Sequence, residues 1–131
     1  MGCFSDYWEN KILNHIFSKG SYTPPTIFVG LSTADPTDAG SGLTEPSGNG
    51  YARIQTSASD WNAASNSTLD NADNITFNQA TGNWGTITHF ALFDAVTAGN
   101  MLAHGALSQS KSISESNTAR FEAGDLNISL D

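Results

Sequence analysis

The chain is short of most features that would narrow its role at once. It carries one cysteine in 131 residues, Cys3, so no disulfide can form within it and nothing calls for an oxidising compartment. Cys3 itself reads as a small buried residue or an inert thiol. Basic residues are scarce, five against thirteen acidic ones, for a net charge of −8. Lys11, Lys19, Arg53, Lys111 and Arg120 are scattered and form no stripe, which argues against a nucleic-acid partner gripped through its phosphates. The acidity reads instead as colloidal solubility. Apolar runs are no longer than a strand, which excludes a membrane-spanning helix. No basic n-region follows Met1, so no secretory signal is expected. No repeat occurs at solenoid spacing and no heptad pattern that would build a coiled-coil shaft.

Catalytic signatures are missing in the same way. There is no Gly-x-Ser-x-Gly elbow for a serine hydrolase. Gly48-Asn49-Gly50 is followed by Arg53 where a dinucleotide fingerprint needs its third glycine, and it precedes a strand rather than a helix, so it reads as a turn. Asp70-Asn71-Ala72-Asp73-Asn74 lacks the glycine and distal glutamate of an EF-hand and reads as a solvated turn, with a weak surface calcium site as the sharper alternative. His15, His89 and His104 are the only imidazoles. His89 and His104 come near each other if their strands pair, but a metal site needs further ligands, and each reads as a structural histidine. No catalytic residue, cofactor or metal site is therefore expected. Trp61, Trp84, Tyr22 and Tyr51 raise a sugar-stacking alternative.

What the chain does contain is strand-and-loop material. Only 14% of residues are charged, while Ser, Thr, Asn, Gly and Ala dominate, which favours turns and caps over helices. Thr86 to Phe93 is β-branched and aromatic, with large apolar groups at both parities, and predicts a central strand covered on both faces. Alternation places Ile87, His89, Ala91 and Phe93 on one side and Thr86, Thr88, Phe90 and Leu92 on the other. Further strands are predicted over 26–32, 51–56, 74–77, 100–107 and 126–130, with weaker ones at 111–113 and 118–121.

One helix is predicted, over residues 5–19. Ser5 or Asp6 caps it, Asp6 and Glu9 have capping-box spacing, and Gly20 supplies a left-handed stop. Trp8, Ile12, Leu13, Ile16 and Phe17 form an apolar stripe. That stripe reads as packed on the chain's own sheet or, with Phe4, as docked on a neighbouring chain. Residues 33–50 read as a long loop rich in Gly, Pro and Asp, of the kind that is functional or mobile, and predict a contact loop. The expected architecture is mainly β: a single domain over 1–131, with the helix at 5–19 and an antiparallel β-sandwich or barrel-like body of about seven or eight short strands over 26–131.

The segment from Trp84 to Asp94 joins Gly99-Asn100-Met101-Leu102-Ala103-His104-Gly105-Ala106-Leu107 and the tail from Phe121 to Asp131. Glu9 to His15, Val29 to Thr37 and Gly48 to Arg53 complete the set. Together they resemble a family of small tailed-bacteriophage and prophage virion proteins, often labelled tail-fibre proteins, over nearly the whole chain. The resemblance implies a non-enzymatic virion structural protein made in the host cytoplasm. The first expectation is a decoration or cement protein on the capsid exterior. The alternative is a tail-fibre or collar module that contacts the host surface, where a glycan would be a candidate partner; a carbohydrate-binding or hydrolytic module is the third. Expected partners are other virion proteins of the capsid or tail and further copies of the chain, with no nucleic acid and no membrane. Partner contacts are assigned to Phe4, Trp8, Ile12, Ile16 and Phe17 on the helix side, and to Asp35, Asp38 and Tyr51 on the loop side.

Overall fold

A computed structural model describes residues 2–130. Nine strands and one α-helix follow in chain order: β1 (Gly2–Phe4), α1 (Asp6–Ile16), β2 (Phe28–Ser32), β3 (Ile54–Gln55), β4 (Thr68–Asp70), β5 (Ile75–Thr76), β6 (Gly85–Phe93), β7 (Met101–Ile113), β8 (Arg120–Phe121) and β9 (Asn127–Ser129). Seven strands form one sheet in the order β3-β2-β6-β7-β1-β9-β4, curled into a half-barrel, and β5 pairs with β8 as a small ribbon. The mainly β, barrel-like architecture is the one the turn spacing predicts. Its pairing is antiparallel except between β1 and β9, which run parallel.

The predicted central strand is interior, bonded to β2 on one side and β7 on the other. Its pairing with β7 is not regular throughout. Register shifts between Ile87 and His89 and again between Leu92 and Phe93 mark β-bulges against β7. An irregularity of this kind resets which side chains share a face. Ile87 consequently joins Phe90 and Leu92 in the main core instead of Ala91 and Phe93.

The concave side is filled by aromatic rings that tie the ribbon to the sheet. Phe121 on β8 meets both Phe77 and Phe90 at 6.2 Å, and Trp84 meets Tyr51 edge-on at 5.3 Å. On the other face Ala91, Phe93 and Met101 make a second cluster, covered by Leu43 and Phe28.

Several sequence expectations need correction. The helix has the expected Ser5 cap, whose hydroxyl accepts the Trp8 N–H, but it ends at Ile16 rather than at residue 19. The left-handed residue that turns the chain is Ser18 (φ 58°), not Gly20. The Lys19 and Gly20 N–H groups both reach back to the Asn14 carbonyl. The sheet is not confined to residues 26–131, because β1 lies between β7 and β9. The Ser/Asn/Asp-rich stretch before Ile75 supplies β4, which the sequence does not mark. Residues 101–113 run as one long strand where two were expected.

Candidate partner-binding surface

The helix stripe is divided. Phe4 and Trp8 meet as tilted rings, 4.5 Å between centroids, and, with Tyr7, pack against the main core. Among the described residues of α1, however, none is fully buried. Leu13, Ile16 and Phe17 are 56, 68 and 69% exposed, and Ile12 is half-buried. Packing on the chain's own sheet therefore accounts for the first turns alone. Beside Phe4 and Trp8 the surface opens into an apolar groove of about 610 Å³, walled by Ile27, Trp61, Leu69 and Ile128 among others. Clustered apolar exposure of this kind marks a contact surface more often than scattered single residues do.

Residues 33–50 form a pinned loop rather than a mobile one. The Thr33 N–H donates to the Thr44 carbonyl, the Thr44 N–H to Ser32 Oγ, and the Gly42 N–H to the Pro36 carbonyl. The loop lies over the face of the sheet that carries His89, Ala91, Phe93 and His104. Asp38 Oδ1 is 2.8 Å from His104 Nε2, and Asp35 Oδ1 is 3.9 Å from His89 Nε2. Both carboxylates remain largely exposed, so the outer rim of the loop still faces solvent.

The loop's far end is held by a buried ion pair. Arg53 Nε and Nη2 donate to the two Glu45 oxygens at 3.0 and 2.7 Å. Arg53 Nη1 donates to the Ala95 and Ala98 carbonyls, both at 2.8 Å, which ties in the β6–β7 turn. The guanidinium lies 3.4 Å from the centroid of the Phe93 ring. Tyr51 completes the network, donating to Glu45 Oε1 at 2.7 Å and accepting the Leu31 N–H at 2.9 Å. Burial pushes its hydroxyl well above the ordinary tyrosine pKa, with Glu45 adding to the rise and the Leu31 bond opposing it. Tyr51, assigned to partner contact from sequence, is thus committed to the interior. Gly30 makes room for this arrangement, since a Cβ there would sit 2.8 Å from the Phe93 ring, 2.9 Å from the Tyr51 hydroxyl and 3.0 Å from Glu45 Oε1.

Other sequence candidates also find structural work. Asn71, in the calcium-like stretch, is fully buried. Its amide donates to the Asp73 and Glu122 carbonyls, and its oxygen accepts the Leu126 N–H, each at 2.9 Å. Trp84 is 4% exposed and donates to the Asn49 carbonyl, which removes it from any sugar-stacking surface. Trp61 alone of the two borders the groove, with its indole N–H bonded to Thr56 Oγ1.

Sequence reasoning missed one cluster. Cys3 Sγ lies 3.8 Å from both Asp38 Oδ1 and His104 Nε2, so a thiol, a carboxylate and an imidazole converge. Spacing in the chain gives no sign of it, since the three residues lie on β1, the loop and β7. The matching of β1 with β7, which no local pattern announces, would have been needed to find it.

Over residues 3–129 the sequence matches the family described as Gp80, podophage GP4 fiber I protein gp80. No curated protein matches the chain.

Proposed function

The chain belongs to the podophage GP4 fiber I protein gp80 family and is a phage virion structural protein; from this premise we propose that it serves in the fibre and docks on neighbouring virion proteins through the far end of α1. The observation that carries the docking element is the exposure of Leu13, Ile16 and Phe17 on a helix whose first turns are fixed to the core. A helix with its base packed and its apolar tip bare can slot into a groove on a partner at little ordering cost. The family's description as a fiber protein supports the fibre over the capsid exterior. A non-enzymatic role is part of this reading, supported by the engagement of His104, Arg53 and Asn71 in bonds that hold loops or strands together.

Copy number per purified virion, measured by quantitative mass spectrometry against the major capsid protein, tests the placement. A fibre component is present at a few to a few tens of copies. Hundreds would place it on the capsid lattice as a decoration protein, because a symmetric shell repeats every site. Phe17→Ala tests the docking element. It is expected to leave the melting midpoint of the free protein unchanged and to reduce incorporation into particles. A lowered midpoint with normal incorporation would remove the helix tip from the interface.

A further inference from the structure

We propose that Cys3, Asp38 and His104 form a binding site for one divalent transition-metal ion of the zinc class. Cys3 and His104 are direct cross-strand partners in the β1–β7 pairing, which fixes both side chains on one face. Asp38 is brought over them by the loop and held by its own backbone, its carbonyl accepting the Asp6 N–H at 3.1 Å. Three rigid anchors thus aim sulfur, nitrogen and oxygen at one point, with separations of 3.8, 3.8 and 2.8 Å.

Zinc bonds of about 2.3 Å to sulfur and about 2.0–2.2 Å to nitrogen and oxygen give tetrahedral donor–donor edges of roughly 3.3–3.5 Å. The observed triangle straddles that range, so small side-chain rotations suffice to close it around an ion. Mixed thiolate, imidazole and carboxylate donors suit zinc or cobalt and disfavour magnesium and calcium, which take oxygen ligands. Three protein donors leave the fourth position to water. On binding, the Cys3 thiol gives its proton to solvent and coordinates as the thiolate, while His104 binds through neutral Nε2. The ion would clip the N-terminal strand and the loop to β7 directly beneath the start of α1.

The test is titration of the full-length protein with Co²⁺ and Zn²⁺. One equivalent of Co²⁺ is expected to produce a thiolate-to-cobalt charge-transfer band with tetrahedral d–d absorption, bleached by Zn²⁺, and Zn²⁺ is expected to raise the melting midpoint. Mg²⁺ at the same concentration is expected to do neither. Cys3→Ser should abolish the charge-transfer band and weaken binding by more than about 100-fold, beyond the 10–100-fold effect of an outer-shell change. His104→Asn should weaken it likewise. Should His104→Asn fail to fold, Asp38→Asn provides the second variant, because that carboxylate is largely exposed. Absence of stoichiometric uptake, or uptake unchanged by Cys3→Ser, would overturn the assignment.

Discussion

Replacing Glu45 with Gln perturbs the network that holds the long loop while changing the side chain's shape very little. The residue that loses its partner is Arg53, whose guanidinium donates to both Glu45 oxygens. Its side chain is 6% exposed, so water cannot take over from the lost carboxylate. In the variant one guanidinium edge meets an amide NH₂ in place of an acceptor, and the charge on Arg53 goes unbalanced. Breaking a buried ion pair from one side costs about 3–5 kcal/mol. Glu45 is itself 21% exposed, which allows some relaxation and points to the lower end, about 3 kcal/mol. In a chain of this length that corresponds to a fall of about 10–15 °C in melting midpoint. Urea unfolding monitored by tryptophan fluorescence gives the free energy directly, and amide exchange at Thr33 and Thr44 reports whether the loop loosens ahead of global unfolding. A double-mutant cycle with Arg53→Met isolates the pair: Glu45→Gln made in the Arg53→Met background should cost far less than in the native protein. A loss below about 1 kcal/mol in the single variant would mean that the pair behaves like an exposed one, and the account of the pinned loop would fail.

Further outcomes follow from the same geometry. Asn71→Ala leaves the buried Leu126 N–H without its acceptor and removes the amide's bonds to the Asp73 and Glu122 carbonyls, and should cost about 1–3 kcal/mol in urea unfolding. Gly30→Ala should destabilise through the collision with Phe93, Tyr51 and Glu45, whereas alanine at Gly20, where nothing lies within 4 Å of the added carbon, should be nearly neutral in the same melt. The raised pKa of Tyr51 gives a pH dependence with a definite sign. Unfolded tyrosine ionises near 10 while the folded residue keeps its proton, so this stabilisation is complete below about pH 10 and is lost as pH rises, at up to about 1.4 kcal/mol per unit. Tyr51→Phe should be less stable at pH 7 by about 1–3 kcal/mol, with the Leu31 N–H left unpaired, and should show a shallower alkaline decline when midpoints are compared between pH 9 and 11.

The chain's own residues determined what local chemistry can determine. The β-branched and aromatic run of β6 is an interior strand because nothing else satisfies large apolar groups at both parities. Ser5 caps α1 because its hydroxyl meets an otherwise unpaired N–H three residues on. Turn chemistry placed most strand ends within a few residues. Tertiary structure decided the rest. Tyr51 looks like a surface aromatic until Glu45 and Leu31 close on its hydroxyl, and Asn71 looks like a solvated turn until Leu126 and Glu122 enclose it. Strands as short as β1 and β4 carry no period and exist because neighbours offer hydrogen bonds. The bulge between Ile87 and His89 in the β6–β7 pair decides that Ile87 packs with Phe90 and Leu92, and no local pattern encodes it. His104 lies 66 residues from Asp38 and 101 from Cys3 in the chain. Their meeting depends on the register of pairings that form only when the whole sheet is assembled, whereas capping and alternation depend on residues a few positions apart.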